Sequence, residues 1–444
     1  MYDIEIINAD IVTSTERYYG CVAIQEGKIA AISRTPLKQA RRTIDATGLT
    51  LLPGMIDEHV HFMDPGATER EDFIHGSSAA AVAGVTTVIE HSHGSPILQL
   101  RDFDAKVNYI SDRSLVDFGF AAHIFPQNIG QLASLWKRGV ILLKAFSCTT
   151  HGVPGLNNDQ LFQAFSEIAS FGGCCLIHCE DDAITGGNES RLKAAQRNDN
   201  GVIPEWRSAA AEQIAVNTVA FIARLTGARV IIAHISHPFI VELILREKAH
   251  GAQLLGEICP QYFMLDEDTV REKGPFAKFT PPARPASLSE GLIDLMRSGD
   301  IDIIASDHAP STAEQKREGS IWDCHFGLPG IDTTFPVMLN LVSQGVISLH
   351  RIVQMYSETP AKVLGLYPRK GCIAIGADAD LVLVDFGKQW TIDDGKILSK
   401  AGWTPFHGTP ITGKAQMTLL RGQVVAEDGR ITAQPGVGRA VIRI

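Results

Sequence analysis

The stretch PGMIDEHVHFMDPG, residues 53–66, decides the fold that we expect for this chain. Its apolar residues are typical of a buried strand, and two histidines, His59 and His61, stand at the end of that strand. Pro65 and Gly66 then turn the chain. Because alternate residues of a strand point to the same side, both imidazoles face the same way. The stretch therefore predicts a buried strand that presents two potential metal ligands at its carboxyl end.

Similar apolar runs recur between residues 51 and 370, and helix-like stretches such as NDQLFQAFSEIASFG separate most of them. Continuous apolar strands that alternate with helices indicate a parallel sheet covered on its outside. Eight such units in about this length predict a (β/α)₈ barrel, with a doubly wound open sheet as the structural alternative. The eight runs are LLPGMIDEHVHF, TTVIEHS, LVDFGFAAHI, VILLKAF, CCLIHCE, RVIIAHIS, AQLLGEICP and DIDIIASDHAP.

The two ends of the chain have a different pattern. Residues 1–50 and 371–444 are rich in short alternating β segments with glycine breaks, as in GCVAIQEGKIAAIS and GCIAIGADADLVLVD. Chain termini often lie close together in a folded protein. We therefore predict one small β-sandwich domain built from residues 1–50 and 371–444, and a barrel domain over residues 51–370.

Bulk composition excludes several classes of partner. The 444 residues carry a formal net charge of −10, which argues against a nucleic-acid partner. No run of 18 uncharged apolar residues predicts a membrane span, and the acidic start MYDIEIINAD does not resemble a signal peptide. The eight cysteines form no CxxC pair, which argues against a zinc–thiolate site. We expect a cytoplasmic enzyme with free thiols and a small-molecule substrate.

Polar residues that can bind metals stand at the ends of five of the eight runs. Each one alone has a simple structural explanation, such as a hydrogen-bonded histidine or an aspartate that caps a turn. In a parallel barrel, however, the carboxyl ends of the strands converge on one face. The joint pattern therefore predicts a site for zinc or a similar divalent metal. The residues are His59, His61, Lys144, His178, His234 and Asp307.

Lys144 is the most informative of these residues, because a charged ammonium within the apolar run VILLKAF is costly to bury. Burial lowers the pKa of a lysine and makes its amine a nucleophile. An amine that has captured carbon dioxide becomes a carbamate, whose two oxygens can bridge two metal ions. The rival role for Lys144 is a Schiff base, but the surrounding histidines favour the metal.

Several motifs resemble those of the cyclic amidohydrolases, which include dihydroorotase, allantoinase, hydantoinase and dihydropyrimidinase. The resemblance covers residues 1–444 and includes the β-rich segments at both ends. It rests on HVH followed by DPG, on KAF around Lys144, and on IHCED, AHIS, EICPQYF, FTPPAR and SDHAP.

The resemblance implies a binuclear metal centre, with zinc as the expected metal. His59, His61 and Asp307 would hold one ion, and His178 and His234 the other. Lys144, as N6-carboxylysine, would bridge both ions together with a hydroxide, which attacks the ring carbonyl. Asp307 would act as general base and then as general acid for the leaving nitrogen. The resemblance also implies a dimer or tetramer, and a pocket loop GLPGIDTT over residues 327–334 that includes Gly327, Pro329 and Gly330.

The substrate expectation comes from departures within this resemblance. Dihydroorotases usually have an arginine where this chain has Met63, and an asparagine where it has Thr280. They also carry an MPN-like stretch where this chain reads EHSHGSP. We therefore expect a neutral cyclic ureide, hydantoin or imide, with allantoin as the leading named candidate. Met63 suits a more apolar substituent, as on a hydantoinase substrate. Dihydroorotase activity, a deaminating or linear-amide hydrolase, and a non-catalytic scaffold remain as alternatives.

Four further residues near the predicted site remain open. The alternation of His91 and His93 aims both inward, so they are candidates for substrate binding or for structural hydrogen bonds. Cys148 lies in the loop after Lys144 and is expected to contact substrate, since a nucleophile pair with His151 is redundant beside a metal site. Gln261 stands where relatives usually have a histidine, which puts the role of that histidine in doubt here.

Overall fold

The computed structural model of the chain describes residues 1–91 and 93–444. Seventeen β-strands are found in this part of the chain, and they form two sheets. The strands are β1 (Tyr2–Val12), β2 (Arg17–Gln25), β3 (Lys28–Ser33), β4 (Ala40–Asp45), β5 (Thr50–Pro53), β6 (Met55–Val60), β7 (Val85–Glu90), β8 (Asp117–His123), β9 (Leu142–Phe146), β10 (Cys174–His178), β11 (Arg229–Ile232), β12 (Gln253–Ile258), β13 (Ile303–Ile304), β14 (Leu381–Thr391), β15 (Pro410–Leu420), β16 (Gln423–Glu427) and β17 (Arg430–Ile431).

Fifteen α-helices occur in the same residues, most of them between the strands β6 to β13. They are α1 (Phe73–Ala83), α2 (Leu100–Ile110), α3 (Leu132–Arg138), α4 (Asn158–Ser170), α5 (Asp182–Ala194), α6 (Val202–Trp206), α7 (Ala209–Thr226), α8 (Pro238–Ala249), α9 (Gln261–Met264), α10 (Glu267–Lys273), α11 (Ser289–Ser298), α12 (Ala313–Arg317), α13 (Thr334–Ser343), α14 (Leu349–Val353) and α15 (Thr359–Val363). None of the helices in the described ranges has the length and apolar character needed to cross a membrane.

Strands β6 to β13 form an eight-stranded parallel sheet in sequence order. The sheet closes where Val60, at the end of β6, makes a parallel bridge with His308, just beyond β13. The backbone N–H of His61 also donates to the carbonyl of His308 over 2.7 Å. This closure confirms the predicted (β/α)₈ barrel, and the open-sheet alternative is wrong.

The barrel strands are buried on both faces, which is why they read as apolar runs without alternation. All six residues of β7 and all five of β10 are buried, although β7 reads VTTVIE and β10 reads CCLIH. The helices that cover them end at residues suited to helix termini. Asp72 caps the start of α1, and Gly84 and Gly227 end α1 and α7 in left-handed conformations with φ of 93° and 74°.

The other nine strands form a sheet that combines both ends of the chain. Its central contact is the antiparallel pairing of β5 with β14, in which Leu51 lies opposite Leu383. Buried Ile6, Val22 and Leu419 belong to the same core cluster. This confirms the β-rich module predicted from the two termini. The last residues of the chain also return to the barrel, where the backbone N–H of Val441 donates to Phe118 on β8.

Candidate metal centre

The six predicted metal ligands converge at the carboxyl ends of the barrel strands. All of them line one cavity of about 440 Å³. Lys144 lies on β9 and His178 ends β10, while His234 and Asp307 lie just beyond β11 and β13. The parallel barrel brings these ends to one face, so residues far apart in sequence become neighbours. Because these positions come from five strands, the barrel must fold before the cluster can form.

His59, His61 and Asp307 form the first part of the cluster. The Nε2 atoms of His59 and His61 lie 3.4 and 3.3 Å from Oδ1 of Asp307. Their other ring nitrogens are already held: Nδ1 of His59 donates to Glu257 Oε1 over 3.0 Å, and Nδ1 of His61 donates to the carbonyl of His91 over 2.6 Å. Since Nδ1 carries the proton, the Nε2 lone pairs are left to face the centre.

His178 and His234 form the second part. Nδ1 of His178 and Nε2 of His234 face each other at 2.9 Å. Nε2 of His178 donates to Oε2 of Glu180 over 2.7 Å, so its Nδ1 lone pair also faces inward. Nδ1 of His234 is buried and has no hydrogen-bond partner among the described residues. Burial is the main cause that lowers the pKa of His234 to about 3, so its imidazole is neutral and available as a ligand.

Lys144 is 1% exposed, and its Nζ lies 2.8 Å from Nε2 of His59. It makes no ion pair with a carboxylate of any described residue. Burial lowers the pKa of Lys144 to about 8, although the charges of Asp307 and Glu257 act in the opposite direction. An ordinary lysine has a pKa of about 10.4. A much larger fraction of this amine is therefore neutral near pH 7 than in an exposed lysine.

Asp307 remains ionised in this surrounding. Burial alone would raise the pKa of Asp307, but its interactions with His59 and His61 outweigh burial and hold the pKa well below its ordinary value. Asp307 and His234 also have left-handed backbones, with φ of 46° and 39°. This conformation is strained for residues other than glycine, and such strain concentrates at functional sites. The fold therefore holds a charged carboxylate against two imidazoles.

The donor set fits divalent metal ions. Four imidazoles, one carboxylate and one amine that is able to form a carbamate supply nitrogen and oxygen ligands of the type that zinc binds. For three of the four imidazoles, the second ring nitrogen has an oxygen partner that fixes which nitrogen faces the centre, as in protein metal sites generally. The unpartnered Nδ1 of His234 is the exception.

Two other groups of potential ligands occur in the described part of the chain, but their surroundings disfavour a metal ion. Cys148, His178 and Glu180 lie close together, yet the guanidinium of Arg207 contacts both Cys148 and Glu180. In the second group, Glu71, Asp72 and His75, the side chain of Asp72 caps helix α1 and pairs with Lys400. In both groups a cationic side chain already occupies the acidic ligands.

Four of the predicted substrate-binding residues line the cavity: Met63, His93, Thr280 and Gly327. The hydroxyl of Thr280 donates to Glu180 over 2.7 Å, so this side chain holds the partner of His178. Met63 is buried and has a left-handed backbone with φ of 57°. His93 stacks on His61, with ring centroids 4.3 Å apart. These residues form the wall of the cavity around the metal ligands.

The other four predicted substrate-binding residues, His91, Cys148, Pro329 and Gly330, are not among the residues that line this cavity. The ring of His91 is fully buried, and its Nε2 donates to the carbonyl of Glu58 over 2.7 Å. Cys148 is buried, and burial raises the pKa of its thiol, which does not suit a nucleophile. The backbone N–H of Gly330 donates to His308 over 3.0 Å. His91, Cys148 and Gly330 therefore support the site from outside.

Sequence reasoning missed several residues that complete the site. Glu257 and Glu180 hold histidines of the cluster, and Arg70, His325 and Phe326 line the cavity. A signal existed for Glu257, since it is a carboxylate inside the apolar run AQLLGEICP. Arg70 lies in a loop, where no periodic pattern points to the cavity. Gln261, whose role was open, is buried at the start of α9 and is not among the cavity-lining residues.

Comparison with known proteins places this arrangement among hydrolases. The model of the Amidohydrolase family matches residues 50–425. L-hydantoinase of Paenarthrobacter aurescens is 33% identical over 453 residues, which cover 100% of this chain and 98% of that protein. Dihydroorotase of Methanosarcina acetivorans is 33% identical over 450 residues, covering 99% and 95%. Allantoinase of Escherichia coli is 30% identical over 438 residues, covering 96% and 95%.

The structural comparison agrees. A solved structure of L-hydantoinase (dihydropyrimidinase) from Arthrobacter aurescens matches with a TM-score of 0.96 and 32% identity, and the match covers 100% of both chains. A D-hydantoinase structure matches with a TM-score of 0.93 and 26% identity over 99% of both chains. The similarity therefore covers the β-rich module as well as the barrel.

Proposed function

The chain belongs to the amidohydrolase family, and we propose that it is a metal-dependent cyclic amidohydrolase that opens the ring of a hydantoin or a related cyclic ureide. The observation that carries this proposal is the convergence of four imidazoles, a carboxylate and a buried lysine on one cavity. Relatives named L-hydantoinase, allantoinase and dihydroorotase match almost the whole chain, which supports the same class of reaction.

We propose that His59, His61 and Asp307 hold one divalent ion, and that His178 and His234 hold a second. Lys144, carboxylated to N6-carboxylysine, would supply an oxygen to each ion, and zinc is the expected metal. The lowered pKa of Lys144 favours this modification, because it increases the neutral fraction of the amine and only a neutral amine captures carbon dioxide. When bound, the ions polarise the ring carbonyl and lower the pKa of water.

The chain's own residues perform the remaining tasks. Asp307 is ionised and lies between His59 and His61, so its carboxylate is placed to accept a proton from the attacking water. It then delivers the proton to the ring nitrogen, because an amide nitrogen cannot leave unprotonated. Glu257 and Glu180 orient His59 and His178 through hydrogen bonds of 3.0 and 2.7 Å. The burial of these groups keeps the electrostatic interactions strong.

Hydantoins are favoured over dihydroorotate by the residues near the cluster. Met63 is buried at the cavity wall where dihydroorotases carry an arginine, and the hydroxyl of Thr280 is engaged by Glu180. Neither residue can pair with a carboxylate on the ring. The structural match to L-hydantoinase, with a TM-score of 0.96, supports the same choice.

A panel of hydantoin, allantoin, dihydrouracil, dihydroorotate and succinimide tests this proposal on zinc-loaded protein. We expect ring opening of hydantoin and little turnover of dihydroorotate. A matched Lys144→Ala variant shows whether turnover depends on the cluster. Absence of any ring opening by the zinc-loaded protein would overturn the proposed function, and faster turnover of dihydroorotate than of hydantoin would overturn the choice of substrate.

We also propose that residues 1–50 with 371–444 and residues 51–370 fold as two domains of a cytoplasmic enzyme that assembles as a dimer or tetramer. Helix α7 supports assembly, because its exposed face presents Ile214, Phe221 and Leu225, which are 47, 45 and 55% exposed. Exposed apolar patches on helices are typical of subunit contacts. Light scattering should give the mass of an oligomer, and Phe221→Glu should shift it toward that of the monomer.

A further inference from the structure

Arg70 is a cation on the cavity wall that the reaction described above does not use. It lies in the loop between β6 and α1 and lines the same cavity as the metal cluster. Its Nε donates to the carbonyl of Pro310, in the loop beyond β13, over 3.0 Å. This bond links two loops of the active face and fixes the base of the guanidinium.

The two terminal nitrogens of Arg70 have no hydrogen-bond or ion-pair partner among residues 1–91 and 93–444. The deeply buried arginines of the protein differ in this respect. Arg207 pairs with Glu180 and Arg284 pairs with Glu212, over 3.1 and 2.8 Å. Burial lowers the pKa of Arg70 to about 10, so the group stays charged at neutral pH. The charge of Glu69 acts against burial on the pKa of Arg70, but no hydrogen bond joins Arg70 to Glu69 among the described residues. A partly buried cation whose terminal nitrogens have no partner is suited to an anion that a ligand supplies.

Arg70 lines the cavity without being part of the metal cluster. Its charge is one of the causes, after burial, that lower the pKa of His151 and of His325, and both of these histidines line the cavity. Arg70 makes no hydrogen bond with any of the six cluster residues. Met63 and Phe326 contribute apolar surface to the same cavity. A substrate can therefore place its ring at the cluster and extend a substituent toward Arg70.

We propose that Arg70 binds a carboxylate at the end of the ring substituent, so that the preferred substrates are hydantoins with an acidic side chain. This inference rests on the proposed function. With Nε engaged by Pro310, the two terminal nitrogens form a fork that suits the two oxygens of a carboxylate. The apolar stem of the substituent would pack along Met63, which accounts for a methionine and an arginine in one cavity. The specificity then lies in the substituent rather than in the ring.

Matched substrates test this proposal on zinc-loaded protein. The pairs are 5-(carboxymethyl)hydantoin with its carboxamide, and 5-(2-carboxyethyl)hydantoin with its carboxamide, because the members of a pair differ in charge but hardly in size. For at least one pair, we expect the wild type to prefer the acid by about tenfold to a hundredfold in kcat/KM, as for a hydrogen bond between charged groups. Arg70→Gln should remove most of this preference through KM, and Arg70→Lys should retain part of it.

Arg101→Gln is the matched control, since Arg101 is an exposed arginine whose side chain is 82% exposed and pairs with Asp102. It should leave the ratio between acid and amide unchanged. A wild-type ratio near one for both pairs, or a ratio that Arg70→Gln does not change, would overturn the role of Arg70 while leaving the proposed function in place. Hydrolysis of hydantoin but of none of the acids would also overturn the role of Arg70 and leave the proposed function in place.

Failure of the proposed function gives a different result, namely no ring opening of any compound, including hydantoin. Calorimetric binding of the same four compounds to the wild type and to Arg70→Gln then decides the role of Arg70. Tighter binding of the acids that is lost in Arg70→Gln would support it. Equal affinities for acid and amide would overturn it.

Discussion

Two lysines, Lys144 and Lys370, are buried at opposite ends of the barrel. They differ in whether a carboxylate of the described residues hydrogen-bonds to them. Lys144, at the carboxyl end, is 1% exposed and faces a neutral imidazole. Lys370, at the amino end, is 3% exposed and donates to Asp117 over 2.6 Å and to Asp380. Burial lowers the pKa of Lys144 to about 8. Burial acts in the same direction on Lys370, but the charges of Asp380 and Asp117 outweigh it and raise the pKa above its ordinary value.

The difference shows that the two ends of the barrel have different roles, with Lys370 contributing to stability and Lys144 to the functional site. Asp117 begins β8 and also accepts hydrogen bonds from Arg421 and from the backbone N–H of Arg439. The cluster around Lys370 therefore ties the C-terminal segments to the barrel. No carboxylate of a described residue hydrogen-bonds to Lys144, whose Nζ faces Nε2 of His59 instead, so its amine remains available for modification. In barrels of this class, the carboxyl face carries function and the amino face carries stability.

Lys144→Ala should have the largest effect on activity. Loss of residues that only orient metal ligands typically lowers metal affinity or activity by about 10- to 100-fold, and loss of the proposed bridging ligand should exceed this. Ring opening should therefore fall by more than about a hundredfold, with loss of bound zinc measured by elemental analysis. In protein incubated with ¹³C-bicarbonate, a carbamate signal in the NMR spectrum should be present in the wild type and absent in the variant. Full zinc content and full activity in Lys144→Ala would contradict the functional role assigned to Lys144.

Lys370→Met should have the opposite profile. The change leaves Asp117 and Asp380 buried without their ammonium, and the loss of one partner of a buried ion pair costs about 3–5 kcal/mol. The urea concentration at the unfolding midpoint should fall accordingly. The folded variant should keep its zinc content and a kcat/KM near that of the wild type, because Lys370 does not line the cavity. A large loss of kcat/KM with unchanged stability would contradict the assignment of stability to the amino end of the barrel and of catalysis to the carboxyl end.

Glu257→Gln tests whether the orientation of His59 matters as much as the ligand itself. Glutamine keeps an oxygen that can accept from Nδ1 of His59 but removes the negative charge. Glu257 also accepts from the backbone N–H of His234 over 2.9 Å, so one side chain supports both parts of the cluster. We expect zinc affinity to fall by about 10- to 100-fold in a chelator competition. An unchanged affinity would show that backbone geometry alone holds the two histidines.

The barrel could be predicted from the sequence because its strands are buried on both faces and so appear as uninterrupted apolar runs. The six cluster residues could be predicted because the end of a parallel strand has a known location. Arg70 and Glu180 could not, since Arg70 lies in a loop and Glu180 lies beyond the end of β10, where no periodic pattern predicts the direction of a side chain. His91 shows the limit of alternation. It lies two residues before His93, yet its ring donates to the carbonyl of Glu58 and is not among the residues that line the cavity.

The smallest expected effect is on the pH dependence of stability, which reports the ionisation of Lys370. Its pKa in the folded protein lies above the ordinary value of about 10.4, so the native state holds this proton more tightly than the unfolded state. The contribution of its ion pairs is therefore complete below about pH 10 and is lost as the pH rises through the folded pKa. The difference in unfolding midpoint between the wild type and Lys370→Met should be constant from about pH 7 to 9 and should shrink above about pH 10.4. Lys193→Met removes an exposed pair with Glu189, whose contribution of about 0.5 kcal/mol or less serves as the control. A difference that grows with pH would show that Lys370 is not held by its carboxylates.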